Sequence, residues 1–533
     1  MKPTPLLKPS PRAFALLPLR GLALLLALAA SCTQLFAQTP AKPASQTSPS
    51  QTPAATPAQP YQARIAATLP ADKAIAPLIY LASDRLKGRY IGRPEIDTAA
   101  QYIADQFQGA GARPIPGADG YFQHFTLSFM RPSPTGSVTV GSRSFNIGAD
   151  ALQFDPGNVQ LNAPVVYIGD DSAGQLAALD LKGKLVLMDA GAGTRQSAHQ
   201  DLGKARQIRQ MLTDKQALGL LVSLNADSAY WPALQSGLSG EHRVGPDKTT
   251  DIPMIALRYH SGDQPLLAKG ATGTASVTIT ATPIRELKLK NVLSFVQGTD
   301  PALRDQYIVL SAHYDHLGVA AQPKMEEGKL DSIYNGARDN ALGSTAVIDA
   351  AKYFGRYPPK RSIMFVTYSA EEEGLLGSEY YAGHPIIPLN RTVYNLNIDN
   401  ASYNDTTLIS LVGLNRTSED ANIISACKAY GLSVNGDPTG GQLFFESDNA
   451  PLALKGIPAP TYSLGMRTFD STIFNRYHRL SDETGNMNMR YAVKFIRAYI
   501  LSAIYIANDA TQPMWVKGDP YEATWKTLFK AGN

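Results

Sequence analysis

The sequence predicts an α/β protein: a mostly parallel-centred mixed sheet flanked by helices, with an inserted β-rich module. From Asn291 onward, apolar runs of strand length alternate with runs of helical spacing, a pattern typical of parallel strands joined by helical crossovers. Between residues 132 and 285, short β-type runs separated by turn residues predominate instead. The two patterns together indicate two folding units, of which the second interrupts the first.

The first 37 residues are predicted to be a secretory signal. Basic residues precede an apolar run at 21–30, which is too short to span a membrane comfortably. Two processing sites remain open: cleavage after Ala37, and a lipobox-like segment ending at Cys32, in which Ala stands where Leu is expected. We therefore expect a periplasmic or secreted protein with no transmembrane segment in its mature chain, and Cys32 is a candidate lipid anchor that would make it a membrane-anchored lipoprotein.

The composition of the chain limits the kinds of molecule and metal site that it is expected to bind. Residues 38–60 consist mainly of Pro, Ser, Thr, Ala and Gln, which predicts a flexible linker. The chain has 49 basic and 45 acidic residues, and four of the basic residues lie in the predicted signal. The mature chain is therefore formally neutral and gives no reason to expect nucleic-acid binding. Without Cys32, the second cysteine, Cys427, has no partner, which excludes internal disulfides and a Cys-rich zinc site.

The rest of the chain divides into three parts. Residues 61–131 and 286–510 form the predicted α/β domain, residues 132–285 form the β-rich insert, and the tail at 511–533 is expected to pack irregularly. The predicted strands of the α/β domain are 292–295, 307–311, 362–368, 394–398 and 406–411, and its predicted helices are 75–86, 98–107, 341–354, 418–430 and 489–507.

Three groups of ionisable residues directly follow consecutive strands of this domain. His313 and Asp315 follow one strand, Glu371 and Glu372 follow the next, and Asp399 follows the third. Ligands of open α/β sheets bind beyond the carboxyl ends of the parallel strands. We therefore expect these side chains to lie along one edge of the sheet.

Each of these features also has a purely structural interpretation. The run Glu371-Glu372-Glu373 concentrates like charges that a bound cation would compensate, but a solvated acidic loop has the same composition. His313 and Asp315 project to the same side of an extended backbone. They are either a metal ligand with its orienting carboxylate or a hydrogen-bonded structural pair.

Two further residues complete the set of potential ligands. Asp339 precedes the helix predicted at 341–354, where it is either a helix N-cap or a carboxylate that bridges two metal ions. His478 lies in a loop before the last predicted helix and is either an ordinary surface residue or the second imidazole of a dinuclear site.

Taken in order, five segments resemble peptidase family M28, the co-catalytic zinc aminopeptidases. The likeness extends over about 61–131 and 286–508 and implies a zinc-peptidase/phosphorylase-like fold. The insert at 132–285 resembles a protease-associated (PA) domain, which implies partial cover over the cleft and no chemistry of its own. The five segments are Ala-His-Tyr-Asp at 312–315, Gly-Ala-Arg-Asp-Asn at 336–340, Ala-Glu-Glu-Glu-Gly-Leu-Leu-Gly-Ser at 370–378, Asn-Ile-Asp at 397–399 and Tyr-His at 477–478.

The resemblance implies a role for each matching residue. The ligands of two Zn²⁺ ions would be His313 and Asp399 on one ion, Glu372 and His478 on the other, and Asp339 between them. Asp315 would orient His313, and Glu371 would be the general base. Asn400 and Asn449 stand where a Met and a His are common in the family, which leaves the side-chain preference of the substrate open.

We therefore expect an exported dizinc aminopeptidase that removes N-terminal residues from peptides through a metal-bridging hydroxide and the general base Glu371. A carboxypeptidase of the same scaffold remains open, because Arg467, Arg476 and Arg479 near His478 offer a basic pocket for a terminal carboxylate. A single-zinc glutaminyl cyclase and a catalytically inactive receptor-like protein are less favoured, since all five ligand positions are filled. The sequence predicts no oligomeric state.

Overall fold

The computed structural model describes residues 58–530, apart from 170–175, 177–178, 193–204, 206–207, 226–229, 239–241, 245–251, 260–265 and 269. The predicted signal, Cys32 and residues 38–57 of the predicted linker lie outside the described residues. In the part of the chain that is described, no helix is both long and apolar enough to cross a membrane.

The elements follow one another in an order that separates two sheets. The strands are β1 (Phe122–Arg131), β2 (Gly136–Val140), β3 (Arg143–Asn146), β4 (Ala151–Gln153), β5 (Val159–Gly169), β6 (Leu185–Ala192), β7 (Gly219–Asn225), β8 (His242–Val244), β9 (Met254–Tyr259), β10 (Thr272–Ile279), β11 (Thr282–Val296), β12 (Tyr307–His313), β13 (Gly318–Glu326), β14 (Lys329–Tyr334), β15 (Ser362–Tyr368), β16 (Thr392–Ile398), β17 (Leu408–Val412), β18 (Ser433–Asn435) and β19 (Thr461–Leu464). The α-helices include α1 (Ala58–Thr68), α2 (Ala71–Leu81), α3 (Pro94–Gly109), α4 (Tyr230–Leu238), α5 (Gly343–Arg356), α6 (Leu376–Gly383), α7 (Asp420–Ala429), α8 (Asn449–Leu454), α9 (Ser471–Phe474), α10 (Met489–Asn508) and α11 (Glu522–Lys530).

A nine-stranded sheet forms the larger part of the molecule, in the order β18-β17-β19-β16-β12-β15-β11-β1-β8. Its middle strands β19, β16, β12 and β15 run parallel. The pairs β15–β11, β11–β1 and β19–β17 beside them are antiparallel. The predicted mixed sheet with a parallel centre and flanking helices is therefore confirmed.

Both faces of this sheet are covered. Strands β12, β15 and β16 are buried at every position. Because successive side chains of a strand point to opposite faces, Leu310 and Phe365 join one core with α5 and α10, whereas Val309 and Met364 join another core with Trp515. Burial of each large apolar side chain stabilises the fold by about 1.5–3 kcal/mol. The central strands are thus a rigid base for the loops at their ends.

The second sheet has eight strands in the order β3-β2-β10-β5-β6-β7-β9-β4, and separate apolar clusters cover its two faces. It is built from the segment predicted to be a β-rich insert. However, β11 continues through the predicted boundary at 285/286, and β8 leaves the insert to pair with β1, where Ser128 faces Val244. The assignment of residues 132–285 as a separate domain stays a prediction.

The two ends of the described chain differ from the sequence prediction. Residues 58–60, assigned to the linker, begin α1, because Ala58 and Tyr61 pack against the core. The tail is not irregular throughout: α11 forms at its end, with Trp525 and Leu528 spaced to contact one apolar cluster. Trp515 is 2% exposed, and its Nε1 donates to the carbonyl oxygen of Gly456 at 3.0 Å. The tail is therefore part of the folded core.

Asp349 on α5 makes the stability of the fold depend on pH. Burial raises the pKa of this fully buried carboxyl to about 7, although Lys352 Nζ lies 3.0 Å away and opposes the shift. Because the folded-state pKa lies above the unfolded value, the protonated group contributes stability that is lost as pH rises from about 4 to about 7. We expect Asp349→Asn to gain roughly 4 kcal/mol relative to the wild type between pH 4 and pH 8, since each pKa unit corresponds to about 1.4 kcal/mol.

Denaturant unfolding of both proteins at the two pH values measures this gain. The control is Asp305→Asn, because the Asp305 side chain is 74% exposed and so lacks the burial that acts on Asp349. A constant difference between Asp349→Asn and the wild type at the two pH values would contradict the prediction.

Candidate metal centre

The ends of three adjacent parallel strands bring most of the predicted site residues together. In the sheet, β12 lies between β15 and β16. β12 ends at His313, β15 ends shortly before Glu371 and Glu372, and β16 ends directly before Asp399. The four side chains therefore face one crevice at the carboxyl edge of the sheet, the place where α/β sheets bind ligands.

Asp339 lies between two imidazoles and divides its oxygens between them. Its Oδ1 is 3.2 Å from His313 Nε2, and its Oδ2 is 3.2 Å from His478 Nε2. On the His313 side, Asp399 Oδ1 is 3.3 Å from the same nitrogen. On the His478 side, Glu372 Oε2 is 3.1 Å from Nε2. The arrangement is two neighbouring groups of nitrogen and oxygen atoms that share one carboxylate.

The helix-cap interpretation of Asp339 is wrong. Helix α5 begins at Gly343, two residues later than predicted, and residues 337–342 form an irregular turn before it. The backbone N–H of Gly343 donates to Asn340 Oδ1 at 3.1 Å instead. The carboxylate of Asp339 is therefore free of the helix and faces the two histidines.

Asp315 acts mainly on the loop that carries the glutamates. Its carboxylate accepts the backbone N–H groups of Glu371 at 3.1 Å and of Glu372 at 3.3 Å. The carboxylate lies 3.7 Å from His313 Nδ1, whereas the carbonyl oxygen of Asp315 lies at 3.2 Å from the same atom. The backbone of Asp315 is thus the nearer orienting group for the imidazole, and its side chain holds the glutamate turn.

The three consecutive glutamates have different surroundings. Glu371 Oε2 lies 3.8 Å from His313 Nε2. Burial raises the pKa of Glu371 well above its ordinary value, and the charges of Asp399 and Glu372 raise it further. A carboxyl with a raised pKa suits general acid–base catalysis near neutral pH. Glu373 instead accepts a hydrogen bond from the Tyr90 hydroxyl at an exposed position, 3.1 Å away.

One histidine of the centre was missed by the sequence analysis. His316 is fully buried, and its Nδ1 lies 2.6 Å from Glu372 Oε1. The periodicity of β12 gives no position for it, because the strand ends three residues earlier at His313. The signal available in the sequence was its place in His-Tyr-Asp-His at 313–316, where the second His follows Asp315 directly.

Electrostatics at the centre favour a cation between the carboxylates. Burial lowers the pKa of His313 and of His478, but the surrounding carboxylates outweigh it and raise both. Burial raises the pKa of Glu372, but His478 and His316 outweigh it and lower the value to about 2. Positive charge on the imidazoles and negative charge on the carboxylates therefore stabilise each other, and a divalent cation would compete with the imidazole protons for the same place.

Comparison with known proteins identifies a family for part of the chain. Residues 291–502 match the family model "Peptidase family M28". This part of the chain belongs to peptidase family M28.

Two curated relatives each match less than half of the chain. A vacuolar membrane protease of Saccharomyces cerevisiae (strain YJM789) is 24% identical over 224 residues, which are 41% of this chain and 20% of the relative. A probable zinc metalloprotease of Pyrenophora teres f. teres is 28% identical over 169 residues, 31% of this chain and 32% of the relative. The chain therefore spans a fifth to a third of the length of these two relatives.

The solved structures whose folds align with this chain include two aminopeptidases. That of Aneurinibacillus sp. strain AM-1 is 19% identical with a TM-score of 0.46, and the match covers 85% of this chain and 97% of that one. The zinc aminopeptidase of Bacillus subtilis is 16% identical with a TM-score of 0.43, and the match covers 83% and 96%.

The donor set of the M28 domain fits zinc. Zinc is bound in proteins by imidazole nitrogen and carboxylate oxygen, whereas magnesium and calcium prefer oxygen ligands alone. His313, Glu371 and Asp399 offer ligand atoms within 4.8 Å of one another, and so do His316, Asp339 and Glu372. His478 adds a further nitrogen to the second of these groups, 3.1 Å from Glu372 Oε2.

A buried ion pair supports the turn that carries Asp339. Asp482 accepts Arg338 Nη1 at 2.8 Å, and its Oδ2 accepts the backbone N–H of Asp339 at 3.1 Å. The two side chains are 3% and 0% exposed. Removal of one partner leaves the other as an uncompensated buried charge. We expect Asp482→Ala to destabilise the metal-free protein by about 3–5 kcal/mol, and the double variant Arg338→Met/Asp482→Leu to lose clearly less than the sum of the single changes.

Denaturant unfolding in the presence of a chelator measures both effects without a contribution from bound metal. The control is the exposed pair of Asp305 and Arg391, where Asp305→Ala should cost about 0–1 kcal/mol. Equal losses at the buried and exposed pairs would sink the assignment of a supporting role.

Proposed function

We propose that this chain is an exported dizinc aminopeptidase that removes N-terminal residues from peptides. The observation that carries the proposal is the division of the Asp339 carboxylate between the two imidazoles, at 3.2 Å on each side. A single metal site would not need two separate nitrogen-and-oxygen groups that meet at one carboxylate. The proposed ligands are His313 and Asp399 on one side, Glu372 and His478 on the other, and Asp339 between them.

The proposed chemistry requires a base that is close to the metals without being used as a ligand. Bound zinc would lower the pKa of water to about 7 and polarise the scissile carbonyl. Glu371 would take the proton of the attacking water and deliver it to the leaving amine. Its neighbour Glu372 has one oxygen engaged by His316 and the other beside His478, which supports Glu372 as the ligand and Glu371 as the base. Asp315 holds the backbone of both in this arrangement.

The charges around the centre favour a free α-amine over a free carboxylate in the substrate. Three arginines were the reason to consider a carboxypeptidase. Of these, Arg467 Nε lies 2.5 Å from Asp405, and Arg476 Nη1 lies 2.6 Å from Glu327. Arg479 donates to the carbonyl oxygen of Phe474 at 3.2 Å. Two of these three positive charges are thus neutralised within the protein.

The acidic residues near Asp399 also favour a substrate with a free α-amine. Glu446 is exposed at the surface, and partial desolvation of its carboxyl together with the negative charges of Asp437 and Asp399 raises its pKa. A protonated amine at this edge would meet acidic groups, whereas a terminal carboxylate would be repelled by them.

Export and the PA-like insert belong to the same proposal. The predicted signal at 1–37 supports a periplasmic or secreted location, with Cys32 as a candidate lipid anchor. The eight-stranded sheet supports a PA-like domain at 132–285, since it has its own apolar clusters and contributes none of the proposed ligands. Its role would be to shape access to the cleft.

Substitution of the base separates catalysis from metal binding. We expect Glu371→Gln to keep about two zinc ions per chain and to lose at least about 10²-fold in kcat, because the amide cannot accept the proton of water. Metal analysis and initial rates on an aminoacyl amide measure the two quantities. Glu373→Gln is the matched control, since Glu373 is exposed and bonded to Tyr90, and its rate should remain that of the wild type. Unchanged turnover of Glu371→Gln would remove Glu371 as the base.

A substrate panel decides between the two exopeptidase types. We expect hydrolysis of peptides and aminoacyl amides with a free α-amine, no hydrolysis of the same peptides when the amine is acetylated, and loss of hydrolysis after chelation. Peptides with a free amine and an amidated C-terminus serve as the control for carboxypeptidase action. Cleavage that requires a free C-terminal carboxylate would contradict an aminopeptidase and favour the carboxypeptidase.

A further inference from the structure

His316 is a buried residue of the centre with no place in the ligand set proposed above. Its ring contacts Glu372 through Nδ1 at 2.6 Å, and the same nitrogen lies 3.9 Å from Asp339 Oδ2. The other ring nitrogen, Nε2, is buried and has no hydrogen-bond partner among the described residues. One ring nitrogen of His316 therefore has a carboxylate as hydrogen-bond partner, whereas the other has none among the described residues.

The unpartnered nitrogen determines where the proton lies. A proton on Nε2 would be a buried donor without an acceptor, which costs about 1–3 kcal/mol. A proton on Nδ1 finds Glu372 Oε1 at hydrogen-bond distance. The favoured form of His316 is therefore the tautomer with Nδ1–H as the donor.

This tautomer argues against His316 as a metal ligand, although its position among metal-binding atoms allows one. Ligation through Nδ1 would need the lone pair of that atom and would move the proton to Nε2, where no acceptor lies among the described residues. A hydrogen bond from Nδ1–H to Glu372 needs neither the lone pair of Nδ1 nor a proton on Nε2. His316 therefore acts on a ligand and not on the metal.

The hydrogen bond divides the two oxygens of Glu372. Oε1 receives the His316 proton, and Oε2 lies 3.1 Å from His478 Nε2, on the side of Asp339. A carboxylate held in this way presents one oxygen, Oε2, to a cation between His478 and Asp339. Without the donor, Glu372 could turn about its last bond and offer either oxygen or both.

Packing holds the His316 ring in place. A Cβ atom on Gly336 would lie 2.5 Å from His316 Cδ2, so only glycine at 336 leaves room for the ring. The backbone N–H of His316 donates to the carbonyl oxygen of Arg89 at 3.3 Å. The ring also meets that of His478 edge-on, at 5.9 Å between centroids. A side chain fixed on several sides can orient its partner with little loss of its own entropy.

We propose that His316 is a positioning residue that holds Glu372 as a one-oxygen ligand and so sets the affinity of the zinc site on the His478 side. The inference rests on the proposed dizinc centre and goes beyond its ligand set. It predicts an effect on one of the two metal sites only, because the ring hydrogen bond of His316 is to Glu372, a proposed ligand on the His478 side alone, and the shared Asp339 lies beyond hydrogen-bond distance at 3.9 Å.

The test compares His316→Leu with His316→Asn. Leu removes the donor, whereas the amide nitrogen of Asn can stand where Nδ1 stands and donate to Glu372 Oε1. Stepwise zinc affinities of the full chain are measured by competition with a chelating dye, a readout that does not depend on activity. We expect His316→Leu to weaken one zinc site by about 10–100-fold and leave the other unchanged, and His316→Asn to restore the weakened site to within a few-fold of the wild type.

Unfolding of the metal-free variants shows whether each one folds. If His316→Leu does not fold, His316→Gln takes its place, because its amide reaches the position of Nε2 instead of Nδ1, and the same selective loss is expected. Two wild-type affinities in His316→Leu or His316→Gln, an equal loss at both sites, or an Asn variant as weak as the Leu variant would each overturn the proposal. A wild-type protein that binds no zinc would instead overturn the proposed dizinc function and this inference with it.

Discussion

Repulsion between buried carboxylates is the constraint on which the rest of the centre depends. Asp339, Glu371, Glu372 and Asp399 meet at the ends of adjacent strands, each with at most 19% of its side chain exposed. Arg89 lies close enough to act on several of them, and burial lowers its pKa to about 10, so it stays charged at neutral pH. Its guanidinium, however, donates to four backbone carbonyl oxygens, and the charge of Arg338 is taken up by Asp482. The remaining negative charge is left to imidazole protons or to a metal cation.

The fixed cations act instead on the backbone around the site. The guanidinium of Arg89 donates hydrogen bonds to the carbonyl oxygens of Leu81, Tyr314, Asn335 and Gly336. These residues come from segments far apart in the sequence. The Tyr314 bond steadies the chain between His313 and Asp315, and the Gly336 bond steadies the start of the Asp339 turn. The arginine therefore helps to place His313 and Asp339 without a contact to either side chain. A protein that used such arginines to neutralise the carboxylates directly would leave no net charge to attract a metal.

Sequence reasoning succeeded where local pattern determines structure. The ends of β12, β15 and β16 were predictable because each strand is a short apolar run that stops at a polar residue, and parallel strands align their ends. Sequence reasoning failed where contacts between distant parts of the chain determine the structure. The first backbone N–H of α5 donates to the side chain of Asn340 and not to that of Asp339, and no pattern in residues 336–344 distinguishes these two side chains. His316 lies beyond the end of a strand, where alternation no longer applies, and the packing of the tail around Trp515 depends on Gly456 in a distant loop.

The two sides of the centre are held by different means, and this makes them unequal. His313 and Asp399 stand at the ends of strands that are buried at every position, so their geometry is set by the sheet. His478 stands in a loop, 34% exposed, with a positive φ of 58° that a side chain adopts at some cost. The hairpin β13–β14 ties this loop down through Glu326 to Ser481, Glu327 to Arg476 and Lys329 to Glu483. A side chain held by a loop has more freedom than one held by a strand, so the His478 side depends more on its neighbours for geometry. The donor from His316 to Glu372 lies on that side, where an additional constraint on a ligand has the larger effect.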